Sequence, residues 1–129
     1  MSQENVEKLR AAYEAFSRGD FDAAIELARP DAEFIRPGVE GSLRGAAAIR
    51  EWMEPDAFEK QRVEPLAFEV SGDRVLVRQH TRARGAGSGI ELEIETWAVI
   101  AFEEGLIARG QVYPLDQEHE AREAAGLRE

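Results

Sequence analysis

Two long stretches of alternating residues, joined by a glycine-rich loop, constrain the fold more than any other feature of the chain. Residues 74–84 and 90–102 alternate between aliphatic and polar side chains, and Gly85 to Gly89 separate them. This pattern predicts an antiparallel β-hairpin. If Arg84 lies opposite Glu91, the arginines and glutamates share one face and the aliphatic residues share the other. A slip of one residue would set charges against aliphatic side chains, so the sequence strongly favours this register.

One face of the predicted hairpin is charged. The cross-strand pairs expected on it are Arg84–Glu91, Arg82–Glu93, His80–Glu95 and Arg78–Trp97. Three glutamates spaced by two residues resemble a metal or acid/base cluster, but each would face a basic side chain, so we interpret them as an ion-pair ladder. For the same reason His80 is interpreted as a structural partner of Glu95 rather than as a catalyst. Because Trp97 and Val99 lie on this face too, we expect a second subunit to cover it, giving a homodimer.

The opposite face of the hairpin is mostly apolar but carries three uncharged polar residues, Gln79, Thr81 and Thr96. Polar groups on an apolar face must find hydrogen-bond partners or meet a water-filled cavity. Two interpretations follow. The three side chains either hydrogen-bond to one another or line a ligand pocket.

Helices precede the hairpin and further strands flank it. The expected helices cover residues 3–17, 21–28, 46–53 and a short segment that Asp116 caps and Gly126 ends, and the expected strands cover 33–35, 63–70 and 106–113. Asp20 is well placed to cap the second helix. This order predicts an α+β fold, with three N-terminal helices packed on one curved, mostly antiparallel sheet and a short C-terminal helix. We expect a single domain over residues 1–129.

Composition narrows the partners and the chemistry. The chain carries 26 acidic and 16 basic residues, a formal net charge of −10, so a nucleic acid or an anionic membrane would be repelled. It has no cysteine, no histidine pair at metal-binding spacing and no glycine-rich phosphate loop, so we predict no metal and no cofactor. No apolar run approaches the roughly 20 residues of a membrane span, the N-terminal segment is polar and the chain has no cysteine, so we expect a cytoplasmic protein.

Several stretches together resemble a SnoaL-like domain of the nuclear-transport-factor-like superfamily. They are the aromatic helix end and Gly-Asp step in residues 13–22, the helix start in 45–52, Gly87-Ser88-Gly89, Trp97, Phe102, Glu104 to Ile107, and Ala124 to Leu127. The resemblance extends over essentially the whole chain. It implies a cone-shaped sheet that helices close around a cavity, usually in a homodimer joined through the outer sheet face.

That superfamily includes ketosteroid isomerases, polyketide cyclases and limonene-epoxide hydrolases, so the fold does not decide the function. Tyr13 falls where the isomerases carry their tyrosine, but the position of their base holds Arg36 and that of their acid holds Ala98. The acid/base positions of SnoaL-type cyclases align with Gly110 and Val112. The six aspartates are all accounted for as caps, turns or helix starts, so the Asp-Arg-Asp set of the epoxide hydrolases has no counterpart. These catalytic sets do not transfer intact.

Three functional hypotheses remain. The leading one is a protein that binds a hydrophobic or polycyclic small molecule between the sheet and the N-terminal helices. Its expected pocket residues are Tyr13, Arg36, Trp52, Gln79 and Thr96. The second is a cyclase- or isomerase-like enzyme acting on a polyketide, steroid-like or other hydroxylated substrate, with Glu33 or Glu69 as its carboxylate. The third is a non-catalytic dimerisation module whose cavity is filled by its own side chains.

Overall fold

The computed structural model describes residues 2–36, 41–53 and 58–127, which form helices and strands in a mixed α+β order. The helices are α1 (Ser2–Ser17), α2 (Phe21–Ile25), α3 (Ala46–Met53) and α4 (Glu118–Ala125), with a 3-10 turn at Leu115–Gln117 before α4. The strands are β1 (Ala28–Ile35), β2 (Leu43–Arg44), β3 (Phe58–Ser71), β4 (Arg74–Gly85), β5 (Glu91–Glu103) and β6 (Leu106–Pro114). None of the helices in these ranges is long and apolar enough to cross a membrane.

The strands make one curved, unclosed sheet in the order β2-β1-β6-β5-β4-β3. Strands β3 to β6 form an antiparallel meander, and β1 joins it by pairing parallel to β6. Helices α1, α2 and α3 come before the meander in the chain, while α4 follows it. The fold class expected from the sequence is confirmed.

The hairpin of β4 and β5 has the predicted register, with Arg84 opposite Glu91 and His80 opposite Glu95. Arg82 donates to Glu93 straight across at 3.0 Å, as predicted, whereas two further contacts of the ladder are diagonal. Arg78 donates to Glu95 at 2.7 Å, and the His80 Nε2 atom lies 3.1 Å from Glu93 rather than beside Glu95. The right-handed twist of neighbouring strands brings such diagonal neighbours together. Exposed pairs of this kind typically contribute about 0.2–1 kcal/mol each, so the ladder sets the register more than it stabilises the fold.

Some element boundaries differ from the sequence-based expectations. Helix α2 ends at Ile25 rather than at residue 28, because the amide of Ile107 donates to the Leu27 carbonyl at 2.9 Å and draws the chain into parallel pairing with β6. Strand β3 begins at Phe58, five residues earlier than expected. Asp116 does not cap the last helix, since Gln117 is its N-cap after the 3-10 turn. The predictions for α1 and α3, and Asp20 as the cap of α2, are confirmed.

The outer sheet face is covered in its apolar part by α4 of the same chain. Trp97 is only 6% exposed and Val99 only 7% exposed, and both pack in one cluster with Leu76, Ala121 and Ala125. The argument that these two residues need a second subunit is therefore wrong. Alanines four residues apart on α4 let the helix lie close to the sheet, and this small-residue face supplies the cover.

The opposite, concave face packs against α1, α2 and α3. Leu9 of α1 is buried in a cluster with strand residues, namely Val75, Val77, Ala98, Ile100 and Phe102. Helix α1 runs along β3, with the Arg10 guanidinium 4.6 Å from the Phe68 ring centroid. At its far end the Ser17 hydroxyl bonds to both backbone groups of Val63. The helices thus cover one end of the concave face more fully than the other.

Candidate functional site

The concave face of β3 to β6, here called the inner wall, changes from buried to exposed along the strands. Inward-facing residues that lie opposite one another on neighbouring strands form rows across this wall. From the helix-covered end outwards, the five rows are Val70, Val75, Ile100 and Gly110; Phe68, Val77, Ala98 and Val112; Pro65, Gln79, Thr96 and Pro114; Val63, Thr81 and Ile94; and Gln61, Ala83 and Leu92. We call the third the boundary row and the last two the open rows. Val75 and Val77 are fully buried, whereas Ile94 is 58% exposed and Leu92 is 51% exposed.

A chain of three neutral polar side chains crosses the boundary row. The Tyr13 hydroxyl donates to Gln79 Oε1 at 2.6 Å, and Gln79 Nε2 donates to Thr96 Oγ1 at 3.0 Å. Gln79 and Thr96 are each less than one-tenth exposed. The expectation that polar residues of this face hydrogen-bond to one another is confirmed for Gln79 and Thr96. Thr81 takes no part in this chain.

The chain of hydrogen bonds leaves two donors available. Gln79 has a second amide N–H, and the Thr96 hydroxyl accepts one bond while keeping its own hydrogen to donate. Neither hydrogen has an acceptor among the residues that the structure describes. Burial raises the pKa of Tyr13 far above its usual value of 10.0, so its hydroxyl stays protonated at physiological pH. The group can therefore donate hydrogen bonds but offers no base.

A second cluster lies at the β1 side of the same wall. Trp52 of α3 packs on Phe34 with their ring centroids 5.1 Å apart, and the Arg36 guanidinium carbon lies 5.8 Å from the Trp52 ring centroid. Trp52 is 42% exposed, so this cluster stands at an open edge. The Nε atom of Arg36 is buried and has no hydrogen-bond partner within the described ranges. Such an unpaired donor on a charged group is uncommon in folded proteins.

Gly110 explains why one family position carries no acid or base here. A Cβ atom on Gly110 would lie 3.2 Å from Phe34 Cδ1 and 3.3 Å from Ile100 Cδ1. Such contacts are tighter than ordinary van der Waals packing, so any side chain would displace Phe34 or Ile100. The Phe34 ring thus occupies the space above Gly110. Phe34 was not among the residues expected at the site, although its place two residues before Arg36 on an alternating strand puts both on one face.

The two carboxylates considered as a catalytic base both lie on the outer face. Glu33 accepts from the Ser42 hydroxyl at 2.7 Å and from Arg109 at 3.3 Å, and the bond from Ser42 chiefly holds the pKa of Glu33 below its usual value. Glu69 is bound by two guanidinium nitrogens of Arg122 at 3.1 and 2.8 Å. Neither can reach the inner wall, so the hypothesis that one of them is the base is wrong. No inward position of β3 from Gln61 to Val70, or of β4, β5 and β6, holds an aspartate or glutamate.

The five expected pocket residues thus fall into two groups on one wall, Tyr13, Gln79 and Thr96 in one and Arg36 and Trp52 in the other. Helix α1 packs directly against the wall at Tyr13, so the exposed surface beside Gln79 and Thr96 is the open rows. Two open clefts of the described surface lie elsewhere. One of about 450 Å³ is lined by Gln3, Val6, Glu7, Arg10 and Val70, and one of about 460 Å³ by Asp31, Glu33, Arg44 and Gly45.

Solved structures of the same fold include proteins from several bacteria and a biosynthetic enzyme. An NTF2-like protein of unknown function from Burkholderia pseudomallei aligns with a TM-score of 0.77 at 24% identity, covering 92% of this chain and 95% of that one. A protein from Jannaschia sp. CCS1, provisionally named a SnoaL-like polyketide cyclase, aligns with a TM-score of 0.78 at 16% identity, covering 96% and 92%. The epoxide hydrolase/cyclase-like enzyme SalBIII, of pyran ring formation in salinomycin, aligns with a TM-score of 0.77 at 22% identity, covering 86% and 90%.

These likenesses establish the fold alone, because each of the three proteins is less than 25% identical to this chain. No curated protein matches the chain significantly. The sequence model of the SnoaL-like domain, however, matches residues 9–110, which include the second half of α1, all of α2 and α3, and the whole hairpin. By its sequence and its fold, the chain belongs to the SnoaL-like domain family.

Proposed function

We propose that this protein binds a small, largely apolar molecule against the open rows of the inner wall. The observation that carries the proposal is the position of the hydrogen-bonded chain Tyr13–Gln79–Thr96. It stands where a buried aliphatic wall becomes an exposed one, and it retains donors that no described residue accepts. Ligand sites in proteins typically combine an apolar lining with a few such polar groups.

The open rows supply the apolar lining. Ile94 and Leu92 are more than half exposed although they sit on the concave face of a sheet, where side chains are normally covered. Exposed aliphatic surface of this kind marks binding sites. Each square ångström of apolar surface that a ligand removes from water is worth about 25 cal/mol, so a flat ring system lying on these rows gains affinity from them.

The boundary row would orient the bound molecule. Tyr13 holds the oxygen of the Gln79 amide, which leaves the amide nitrogen with Thr96 and one free N–H. A ligand carbonyl or hydroxyl could accept from that N–H or from the Thr96 hydroxyl. The function we propose is binding, because Tyr13 is held protonated and the carboxylates Glu33 and Glu69 face away. The described strands of the inner wall offer no base for a cyclase-like or isomerase-like activity.

The Tyr13→Phe substitution tests this proposal. We expect a ligand found by native mass spectrometry or thermal-shift screening of hydroxylated aromatic and polycyclic compounds to bind the variant about 1 kcal/mol more weakly, because the Gln79 amide loses the bond that orients it. Tyr113→Phe is the matched control, since Tyr113 is the other of two tyrosines and lies on the outer face opposite Trp97. Equal affinities of both variants and the wild type would refute the role of Tyr13, and a screen without any ligand would refute the binding function.

A homodimer remains part of the proposal, together with a cytoplasmic location that rests on the absence of cysteine. Because α4 covers Trp97 and Val99, we infer the dimer from the family resemblance and from the charged outer face of the hairpin, which lies beyond α4. We expect light scattering at micromolar concentration to give twice the mass of the 14.4 kDa chain. The mass of a single chain would rule the dimer out.

A further inference from the structure

Arg36 differs from most arginines of this protein in having no carboxylate beside it in the described ranges. Eight others pair with an aspartate or glutamate within 4.0 Å: Arg18, Arg29, Arg44, Arg50, Arg78, Arg82, Arg109 and Arg122. The chain has 26 acidic residues for 16 basic ones, so carboxylates are plentiful. A partly buried guanidinium without one therefore needs an explanation.

The side chain of Arg36 is also prevented from turning freely to water. Its Nε–H group is buried and donates to no acceptor within the described structure, while its guanidinium lies over the Trp52 ring. Burying a donor of a charged group without an acceptor is costly, because the group gives up its hydration for nothing. Stacking on an aromatic face holds the guanidinium in place and leaves its fork of N–H groups able to bind a planar anion.

We propose that Arg36 and Trp52 form a subsite for an anionic group, so that the molecule bound on the inner wall is a planar monoanion such as an aromatic carboxylate. This inference rests on the proposed function and adds the charge of the ligand to it. The anion would accept hydrogen bonds from the terminal N–H groups of the guanidinium. The Trp52 ring would cover the adjoining aromatic system.

The spacing of the two groups sets the size of the ligand. Continuing the β1–β6 register by one residue places Arg36 beside Val112, which lies opposite Ala98, two residues from Thr96. Strand spacings of about 4.8 Å and a rise of about 3.3 Å per residue put the Cα atoms of Arg36 and Thr96 about 12 Å apart. The long arginine side chain shortens that gap. A pair of fused rings with a carboxylate at the Arg36 end and a hydroxyl at the Thr96 end therefore spans the two groups across β6, next to the open rows.

Three probes separate the contributions: 6-hydroxy-2-naphthoate, its neutral amide 6-hydroxy-2-naphthamide, and 2-naphthoate, which lacks the hydroxyl. Isothermal titration calorimetry at neutral pH measures their affinities. We expect the wild type to prefer the hydroxy acid over the amide by roughly tenfold or more, as a charge-assisted hydrogen bond implies. Loss of the hydroxyl in 2-naphthoate should weaken binding by a smaller factor, through the boundary row.

Variants of Arg36 assign the preference to its side chain. Arg36→Met should abolish the preference for the acid, and Arg36→Lys should restore it in part, because an ammonium keeps the charge but not the planar fork. Arg62→Met is the matched control. Arg62 is exposed on the outer face opposite Arg82, so this change removes the same charge from the other side of the sheet and should leave the preference intact.

The outcomes distinguish the two proposals. If acid and amide bind the wild type equally, or if Arg36→Met keeps the preference, the anion subsite is refuted while the binding function stands. If none of the three probes binds at millimolar concentration, the binding function fails and the subsite fails with it. The comparison of acid with amide uses the wild-type protein, so the test does not depend on the folding of any variant.

Discussion

Replacing Trp97 with alanine is expected to lower the free energy of unfolding by about 3–5 kcal/mol. The indole is only 6% exposed and forms the centre of the cluster between the outer sheet face and α4. Its Nε1 atom donates to the Leu115 carbonyl at 3.1 Å, and the Arg78 and Arg122 guanidinium groups lie 5.7 and 5.9 Å from its ring. Alanine would leave a cavity beneath α4 and free that helix from the sheet. Urea denaturation followed by circular dichroism measures the loss.

Trp52→Ala is the matched control, since these are the two tryptophans of the chain and they lie on opposite faces. Trp52 is 42% exposed, so its removal should cost about 1 kcal/mol of stability or less. It should instead weaken binding of an aromatic anion, because the ring that supports Arg36 is lost. Equal stability losses for the two substitutions would contradict the division between a structural outer face and a binding inner wall.

Replacing Gln79 with leucine is expected to lower the free energy of unfolding by about 1–3 kcal/mol. Both ends of the Gln79 amide are bonded, its oxygen to Tyr13 and its nitrogen to Thr96. Leucine fills a similar space but leaves the Tyr13 hydroxyl without its acceptor in a largely buried position. Sequence reasoning alone allowed the opposite result, a gain of stability, if the amide were only half satisfied. Chemical denaturation of the wild type and the variant decides between these outcomes.

A double-mutant cycle attributes that cost to the hydrogen bond with Tyr13. The Tyr13→Phe and Gln79→Leu changes together should cost less than the sum of the two single changes, because the double variant leaves no hydroxyl without an acceptor. The difference is the interaction energy between the two side chains. Strictly additive costs would mean that Tyr13 and Gln79 do not interact in the folded protein, and the chain across the boundary row would then be wrong.

The register of the hairpin could be predicted from the sequence because its two faces differ so strongly in polarity. Only one register separates the arginines and glutamates from the aliphatic residues, and the structure has it. The positions of Gln79 and Thr96 on the inner wall followed from the same register. The diagonal contact of His80 with Glu93 did not, because it depends on the twist of the strands, which no single-strand pattern encodes.

The elements that sequence reasoning misplaced depend on distant partners. Residues 28–32 form strand only because β6, some eighty residues later, offers a parallel edge, and their local composition does not indicate this. Helix α4 looked solvated because half of its eight residues are charged. Its buried side consists of Ala121 and Ala125, and alanine is as common on the exposed face of a helix as on a buried one, so it does not identify the covered side. The unpaired Nε atom of Arg36 likewise became evident only once its surroundings were known.

We expect the inner wall, and not the outer face of the sheet, to bind the ligand. Proton–nitrogen correlation spectra recorded during titration with 6-hydroxy-2-naphthoate test it directly, because the two faces carry separate reporters. We predict that the side-chain amide of Gln79 and the indole signal of Trp52 shift with one binding curve while the indole signal of Trp97 stays in place. A shift of the Trp97 indole with an unchanged Gln79 amide would contradict the account.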